Sequence, residues 1–234
     1  MHFFDQTACE LPVTSCQLPV AGNRQPVCYA RIVKLIIGLG NPGSEYARSR
    51  HNAGWMIADA FAAKFRIEIN QHEKEALTGS GRVAGGAVVV AKPLTYMNRS
   101  GEAVKLLANA YIESLQDLII VHDEVDLPLG KIRIRERGSA GTHNGMRSVV
   151  ESLASESFPR LRCGVRGANY AEVGGLRDYV LDDFEDSELE IIDRSIERAV
   201  DALVLFARGD LKRAMNAFNR DPDSDSDSET PETS

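Results

Sequence analysis

One histidine and one aspartate in the chain have the chemistry and the surroundings that general-base catalysis requires. His51 lies in the segment 50–52 (RHN), and histidine exchanges protons readily near neutral pH. Asp123 closely follows the apolar run 118–121 (LIIV), at the lip of a predicted buried strand, where a carboxylate is unfavourable unless it has a partner. An imidazole N–H is one such partner, and the contact would make the other ring nitrogen a better base. The two residues are therefore candidates for activating a water molecule.

A metal site is a competing interpretation of the segment around Asp123. Three further residues with ligand chemistry are nearby, namely His122, Glu124 and Asp126. Strand alternation, however, points His122 and Asp123 to opposite faces, and the spacing matches no recognised metal motif. A purely structural role in the turn 126–130 suits Asp126 better than Asp123. We therefore expect neither a metal nor a cofactor.

The loop 38–43 (GLGNPG) has the spacing of a dinucleotide-binding fingerprint. Pro42 removes a backbone donor where a phosphate would be held, and the helical pattern begins only near Asn52. The glycines are better explained by a tight turn that aims Asn41 outward. Neither the serine-nucleophile motif G-x-S-x-G nor the zinc motif H-E-x-x-H occurs, so hydrolysis by a serine or by bound zinc is not expected.

Two asparagines lie close to the starts of predicted helices, and each has two open interpretations. Asn144 lies in 141–145 (GTHNG) and Asn98 in 95–101 (TYMNRSG). Helix N-termini present free N–H groups and positive potential to anions and oxyanions, so either amide could bind substrate there. Asparagine is equally a preferred helix cap, and the residues alone do not separate the two roles.

Basic side chains share one face on each of two predicted strands. Lys131, Arg133 and Arg135 alternate with apolar residues along one strand, and Arg162 and Arg166 do so along the other. A single basic face is ordinarily just solvated. Two such faces beside a polar site are better explained by contacts with the phosphate groups of a nucleic acid.

Apolar periodicity supplies the elements that must position these residues. Short apolar or alternating runs predict strands at 34–38, 86–91, 118–121, 131–135 and 161–165. Helical spacing predicts helices around 56–65, 104–111, 146–153 and 189–203. Ser187 and Glu190 offer a capping box for the last of these helices, and Gly209 marks its end.

This alternation predicts an α/β fold, a single domain in which helices cover a mixed, mostly parallel sheet. Ligands of such folds gather at the carboxyl ends of the strands. Asn41, Asn98 and Asp123 each follow an apolar strand, so we expect the fold to bring them to one edge of the sheet.

Composition assigns the candidate site to a domain over residues 33–220. Residues 221–234 carry six acids and no base, which predicts a disordered acidic tail, and residues 1–32 show no convincing period, which predicts a flexible extension. Residues 221–234 contribute −6 and residues 1–30 contribute −1 to the net charge of −7, so residues 31–220 are neutral overall and local patches decide what binds. The sequence contains neither an apolar run long enough to span a membrane nor a secretory signal. We expect a cytoplasmic protein whose four cysteines are reduced.

Four motifs together resemble the bacterial-type peptidyl-tRNA hydrolase family. In chain order they are GLGNPGSEYARSRHNAGW, KPLTYMNRSGEAV, VHDEVDLPLGKIRIR and GSAGTHNGMRS. The resemblance covers residues 33–220, and four motifs in register are far more specific than any one of them. It implies an enzyme that hydrolyses the ester between a peptide and tRNA without a metal or cofactor, and that we expect to be monomeric.

The resemblance also implies the roles of individual residues. His51 would be the catalytic base, and Asp123 would orient and stabilise it. Asn41 would contact the peptide next to the ester and help to reject aminoacyl-tRNA with a free amino group. Seven more residues match positions that bind the tRNA acceptor end, complete the pocket or grip the 5′-phosphate. They are Tyr46, Tyr96 and Asn98 for the tRNA end, Asn144 and His143 for the pocket, and Arg135 and Arg162 for the phosphate.

The chain departs from the family pattern in two loops. Many relatives have a glycine-rich stretch before HNG where this chain has 137–142 (RGSAGT), and the proline that usually follows the G-[IV]-G strand is absent from 165–169 (VRGAN). The second departure concerns the shape of a loop rather than the chemistry. A non-catalytic RNA-binding relative, like the splicing factors of the family, is the rival interpretation, and the presence of both His51 and Asp123 argues against it.

Overall fold

The computed structural model describes residues 33–171 and 174–220. The predicted extension 1–32 and the predicted acidic tail 221–234 lie outside the described residues. The strands are β1 (Val33–Gly38), β2 (Gln71–Glu73), β3 (Ala76–Val83), β4 (Gly86–Pro93), β5 (Leu118–Pro128), β6 (Ile132–Arg135) and β7 (Arg160–Arg166). The α-helices are α1 (Ala53–Phe65), α2 (Ser100–Tyr111), α3 (Asn144–Leu153), α4 (Leu176–Leu181), α5 (Asp186–Ala207) and α6 (Leu211–Phe218).

These strands form one mixed sheet in the order β2-β3-β4-β1-β5-β7-β6. The central strands β4, β1, β5 and β7 run parallel to one another. The outer pairs β2–β3, β3–β4 and β6–β7 are antiparallel. The predicted α/β fold with a mixed sheet is confirmed, but among the described strands only three of the six pairings are parallel, so the sheet is not mostly parallel. Its parallel pairings are confined to the centre, because β2 and β3, which no sequence pattern indicates, add two antiparallel pairings.

Helices cover both faces of the sheet. On one face α1, α5 and α6 pack on a core that includes Ile36 and Val121. On the other face α2 and α3 pack on a core that includes Leu35 and Ile120. Neighbouring residues of β1 and β5 thus alternate between the two cores, as the two-residue period of a strand requires. None of the described helices is long and apolar enough to cross a membrane.

The elements extend further than the apolar patterns predict. Strand β5 continues past its predicted end at 121 to Pro128, which places Asp123 inside the strand. Helices α4 and α6, with six and eight residues, are too short to show a periodic stripe. The end of α5 at Gly209 is as predicted, since this glycine has a φ of 84° just after the helix.

The capping box of α5 was predicted at the wrong residues. The box is formed by Glu185 and Glu188, in place of Ser187 and Glu190. Oε2 of Glu188 accepts the backbone N–H of Glu185 at 3.0 Å and lies 2.7 Å from Nη2 of Arg50. The distant arginine therefore helps to fix the position of the capping acid, which local spacing does not reveal.

Two glycines allow α1 to begin directly against the ends of β1 and β5. A Cβ on Gly54 would lie 2.4 Å from the carbonyl oxygen of Val121, and one on Gly38 would lie 2.2 Å from that of Gly54. Any side chain at these positions would push the helix away. The start of α1, which follows His51, therefore lies beside the part of β5 that carries Asp123.

Candidate active site

A pocket of about 1010 Å³ opens at the carboxyl edge of the sheet. Its wall includes eight of the ten predicted site residues, and Arg135 and Arg162 are outside it. The lining comes from the segments after β1 and β4, from β5, from the start of α3 and from both ends of α4. The lining residues are Asn41, Tyr46, His51, Tyr96, Met97, Asn98, Arg99, Asp123, Glu124, Val125, Thr142, His143, Asn144, Leu176, Arg177, Val180 and Leu181.

His51 and Asp123 are in direct contact. Nδ1 of His51 lies 2.9 Å from Oδ1 of Asp123 and 3.1 Å from Oδ2. The histidine belongs to a 3-10 turn, Arg50–Asn52, that leads into α1, whereas the aspartate is a buried residue of β5. The fold thus brings together the two residues that the sequence singles out as a base and its partner.

The surroundings of this pair determine where its protons lie. Burial alone would favour a neutral acid, but His51 and His143 hold the pKa of Asp123 well below its usual range. Because a carboxylate only accepts hydrogen bonds, Nδ1 of His51 carries a proton and donates it, which leaves a free lone pair on Nε2. Burial opposes a positive charge on the His51 ring, yet the charge and hydrogen bond of Asp123 outweigh it and raise the pKa of His51.

Asp123 has a second imidazole partner in His143. Nε2 of His143 lies 2.8 Å from Oδ1 of Asp123, and Nδ1 accepts the backbone N–H of Met146 at 3.1 Å as the cap of α3. His143 lies in the pocket wall, but both of its ring nitrogens are bound to protein groups. No motif indicates these contacts, because histidine is not a usual capping residue.

His122 lies behind His143, with ring centroids 4.7 Å apart. Its Nδ1 donates to the backbone oxygen of Asp123 at 2.7 Å. Complete burial, together with the neighbouring His143, lowers the pKa of His122 well below its usual value. This ring is therefore neutral, and it does not line the pocket.

Arg50 anchors the turn that carries His51, a role that no sequence pattern indicates. Its side chain is buried, and Nη2 lies 2.7 Å from Oε2 of Glu188. The guanidinium lies 4.3 Å from the ring centroid of Tyr179 in α4, and the backbone N–H of Arg50 donates to the backbone oxygen of Asp182 at 3.0 Å. These contacts tie the turn to α4 and to the start of α5. Arginine is seldom buried, and its acidic partner is 138 residues away, so only the fold reveals the pair.

Asn41 is held in one orientation by two neighbours. Its Oδ1 accepts the backbone N–H of Met97 at 2.8 Å. The side-chain amide of Asn52 binds the backbone N–H and C=O of Asn41 at 2.7 and 3.0 Å. The residue is 6% exposed, so it lies in the pocket wall instead of pointing outward as predicted. Because Oδ1 is occupied, Asn41 offers the pocket the N–H donors of Nδ2. Asn52 belongs to the RHN segment, but its spacing alone does not indicate this role.

Asn98 and Asn144 line the pocket as exposed residues. The residue at the cap position of α2 is Arg99, and that of α3 is His143. The interpretation of either asparagine as a helix cap is therefore wrong. Both amides are left beside the space into which the pocket opens.

Two tyrosines also line the pocket. Tyr96 precedes the short turn Met97–Arg99 and is 61% exposed. Tyr46 ends the 3-10 turn Ser44–Tyr46 and is half-buried. An exposed ring of this kind offers a flat surface on which a nucleotide base can stack.

Arg135 and Arg162 lie beside the pocket lining, on β6 and β7. Arg162 is directly opposite Arg133, and Arg135 is directly opposite Arg160, so four arginines share one face of this strand pair. Nη2 of Arg162 is held by Oε2 of Glu124 at 2.6 Å. Arg135 is exposed and has no ion-pair partner within the part of the chain that the structure describes. The two predicted phosphate contacts are therefore not equivalent.

His51, Asp123 and His143 are close enough together to be considered as metal ligands. Their hydrogen bonds argue against this role. Nδ1 of His143 accepts from Met146, so the proton lies on Nε2, the atom that a metal would need. A metal would have to displace that proton and the one on Nδ1 of His51. The arrangement suits proton transfer better than metal binding.

Comparisons with known proteins identify the family. The family model described as peptidyl-tRNA hydrolase matches residues 35–227. A peptidyl-tRNA hydrolase of Caldanaerobacter subterraneus is 44% identical over 185 residues, which cover 79% of this chain and 98% of that protein. One of Bacillus anthracis is 42% identical over 188 residues, which cover 80% of this chain and 100% of that protein.

A solved structure agrees with these matches. The crystal structure of the peptidyl-tRNA hydrolase from Acinetobacter baumannii is similar with a TM-score of 0.74 at 35% identity, covering 81% of this chain and 95% of that one. The resemblance of the four sequence motifs is thereby confirmed by independent matches of sequence and of fold. The chain belongs to the peptidyl-tRNA hydrolase family.

Proposed function

We propose that this member of the peptidyl-tRNA hydrolase family cleaves the ester between a peptide and tRNA by direct attack of water, with His51 as the general base. One observation carries the proposal. Nδ1 of His51 is committed to Asp123 at 2.9 Å, which leaves Nε2 with a free lone pair in the wall of the pocket. A base held in this way by a buried carboxylate is the arrangement that activates hydroxyl groups in hydrolases.

The proton that His51 removes from water is later delivered to the leaving group. Nε2 of His51 takes a proton from water as the water oxygen bonds to the ester carbonyl carbon, and the carbonyl electrons move to its oxygen. Collapse of this oxyanion breaks the bond to the ribose oxygen, which receives the proton from the imidazolium. The peptide leaves with a free carboxyl group and the tRNA with a free hydroxyl. Asp123 stabilises the imidazolium between the two transfers.

We assign stabilisation of the oxyanion to the side-chain amide of either Asn98 or Asn144. Both line the pocket, and an amide N–H is a suitable donor to a negatively charged oxygen. One such donor contributes about 10²–10³-fold to the rate. Substituting each asparagine with alanine separates them, since only the residue that holds the oxyanion lowers turnover by that factor.

Asn41 supports selectivity for blocked substrates. Its Oδ1 already accepts from Met97, so the amide cannot turn to accept from a free ammonium group and presents only donors. A peptide has a carbonyl oxygen next to its last residue, which accepts these donors. An aminoacyl group with a free amine places a positive charge there instead, and buried donors without an acceptor lower its affinity.

The exposed ring of Tyr96, together with Tyr46, is suited to the bases of the single-stranded tRNA end. Arg135 and Arg162 extend from a basic strand face beside the pocket, where a terminal phosphate would be bound by charge.

The location of the protein in the cytoplasm and its monomeric state stay predictions. Light scattering on the full chain tests the second, and a dimer at micromolar concentration would contradict it.

The decisive assay follows release of an N-blocked amino acid from tRNA, with unblocked aminoacyl-tRNA as the comparison. His51→Ala should lower kcat on the order of 10²–10⁴-fold and leave substrate affinity nearly unchanged. His72→Ala, an exposed histidine of β2 outside the pocket, is the matched control. Near-normal turnover of the His51 variant would overturn the mechanism. Binding of tRNA without any turnover in the wild type would instead support the rival, a non-catalytic RNA-binding protein.

A further inference from the structure

The geometry points to His143 as a positioning residue. It holds the carboxylate of Asp123 in place and weakens the attraction of that carboxylate for a proton on His51. By sharing the negative charge of Asp123, His143 keeps the base available in its neutral form at physiological pH. This inference rests on the proposed role of His51 as the base. It assigns to His143 a function toward the catalytic pair in place of a contact with the substrate.

The hydrogen bonds of His143 fix the position of its proton. The backbone N–H of Met146 donates to Nδ1 at 3.1 Å, so Nδ1 is an acceptor. In a neutral imidazole the other nitrogen then carries the hydrogen. That hydrogen points to Oδ1 of Asp123, 2.8 Å away. The cap of α3 therefore makes His143 a donor to the catalytic carboxylate.

Two histidines approach the same oxygen atom of Asp123, and Nδ1 of His51 also lies 3.1 Å from the second oxygen, Oδ2. Oδ1 of Asp123 lies 2.9 Å from Nδ1 of His51 and 2.8 Å from Nε2 of His143. Both rings are nearly buried, and their centroids are 4.9 Å apart. In such a poorly solvated place a second donor to the same oxygen withdraws much of the charge that would otherwise attract the proton on His51.

The neighbouring charges do not replace His143 in this role. His122 gives its Nδ1 hydrogen to the backbone oxygen of Asp123, not to the carboxylate. Glu124 on β5 is neutralised by Arg162 on β7, and Arg177 on α4 lines the pocket. Asp123 raises the pKa of His51 and is itself held well below its usual pKa by both His51 and His143, in agreement with a shared carboxylate.

Two substitutions separate the two hydrogen bonds of His143. In His143→Asn the side-chain oxygen is as many bonds from Cβ as Nδ1 is, so the cap is kept, and asparagine is a good cap. The bond to Asp123 is lost. In His143→Gln the amide nitrogen is as many bonds from Cβ as Nε2 is, so the bond to Asp123 is kept and the cap is lost.

The readout is the pH dependence of kcat/KM together with an NMR titration of the His51 ring. His143→Asn should shift the acid limb of the kcat/KM profile and the titration midpoint of His51 to higher pH, by about half a pH unit or more. His143→Gln should leave both near their wild-type values. A rise in KM with an unmoved acid limb would show a substrate contact and overturn the inference. Equal loss of activity at every pH would show a merely structural role and overturn it too.

One measurement on the wild type needs no variant to fold. Nitrogen NMR of the imidazole rings should show the hydrogen of His143 on Nε2, because Nδ1 accepts the backbone N–H of Met146. A hydrogen on Nδ1 would overturn the inference. Failure of the His51 mechanism is recognised separately by turnover of His51→Ala, because the titration of His51 in the His143 variants does not depend on catalysis.

Discussion

The buried half of the site and its rim are built in opposite ways. The buried half is His51, Asp123, His143 and Asn41, each less than a tenth exposed and hydrogen-bonded to other protein groups. The rim is Tyr96, Asn98, Asn144 and Arg135, all exposed. Every buried member is oriented by a contact from another element, whereas the structure shows no comparable restraint on Tyr96, Asn98 and Arg135 within the described residues.

This difference suits the buried half to the proposed chemical step and the rim to the proposed recognition of the tRNA. Buried charges interact through a medium that screens them weakly, while exposed charges are screened by water and salt. The groups that we propose to move a proton are therefore fixed before the substrate arrives, and those that we propose to contact the tRNA are free to adjust. Substitutions in the buried half should change the rate or the stability strongly, and those at the rim should mainly change affinity.

Asp123→Asn is the strongest test of the buried half. Asparagine keeps the shape but removes the negative charge, so the imidazolium that forms on His51 loses its stabilisation. We expect kcat to fall on the order of 10²-fold or more. The charge of Asp123 raises the pKa of His51, and burial of the ring remains when the charge is removed. The remaining activity should therefore have its acid limb at lower pH than in the wild type, the reverse of the shift expected for His143→Asn.

The measurement is kcat/KM from about pH 5 to pH 9, the range in which histidine titrates. An acid limb that stays in place or moves upward would contradict the assignment of that limb to His51. The circular dichroism spectrum of the variant shows whether the fold is kept.

Arg50→Met tests the anchor of the buried half through stability. Removing one partner of a buried ion pair leaves an uncompensated charge, here on Glu188, and costs about 3–5 kcal/mol of unfolding free energy. Denaturant titration measures this loss. Arg194→Met, in the exposed pair with Glu190, is the control and should change little.

The double substitution Arg50→Met with Glu188→Gln identifies the cause. Glutamine keeps an acceptor for the backbone N–H of Glu185 but carries no charge, so part of the lost stability should return. A double variant as unstable as the single one would show that lost packing on Tyr179, and not the stranded charge, is responsible.

The sequence identifies the candidates for the chemistry better than it identifies the residues that hold them in place. His51 and Asp123 follow from residue type and from their positions beside predicted elements, and the motifs add Asn41. The contact of Asn52 with Asn41, and that of Arg50 with Glu188, depend on which elements become neighbours in space. No local pattern contains that information when the partners are 138 residues apart.

The strands of the sheet likewise divide into those that a sequence pattern predicts and those that depend on their neighbours in space. Long apolar strands such as β1 and β5 are evident because their burial on both faces demands continuous apolar residues. Strand β2, with three partly or fully exposed residues, has no such pattern and forms because β3 offers it a free edge. The antiparallel edge formed by β2 and β3 is consequently the part of the sheet that periodicity does not predict.

The smallest expected effects are at the rim residue Arg135 and at the partly buried Arg162 near it, which differ in their neighbours. Arg162 is held by Glu124 at 2.6 Å, and Arg135 is exposed. Arg135→Ala should weaken binding of tRNA and reduce the dependence of log Kd on log salt by about one. Arg162→Ala should reduce it by less, because Glu124 already neutralises this guanidinium. Glu124→Gln should release Arg162 and make the salt dependence steeper. Equal slopes for the two arginine variants would show that bound tRNA separates Arg162 from Glu124, and that the rim rearranges where the buried half does not.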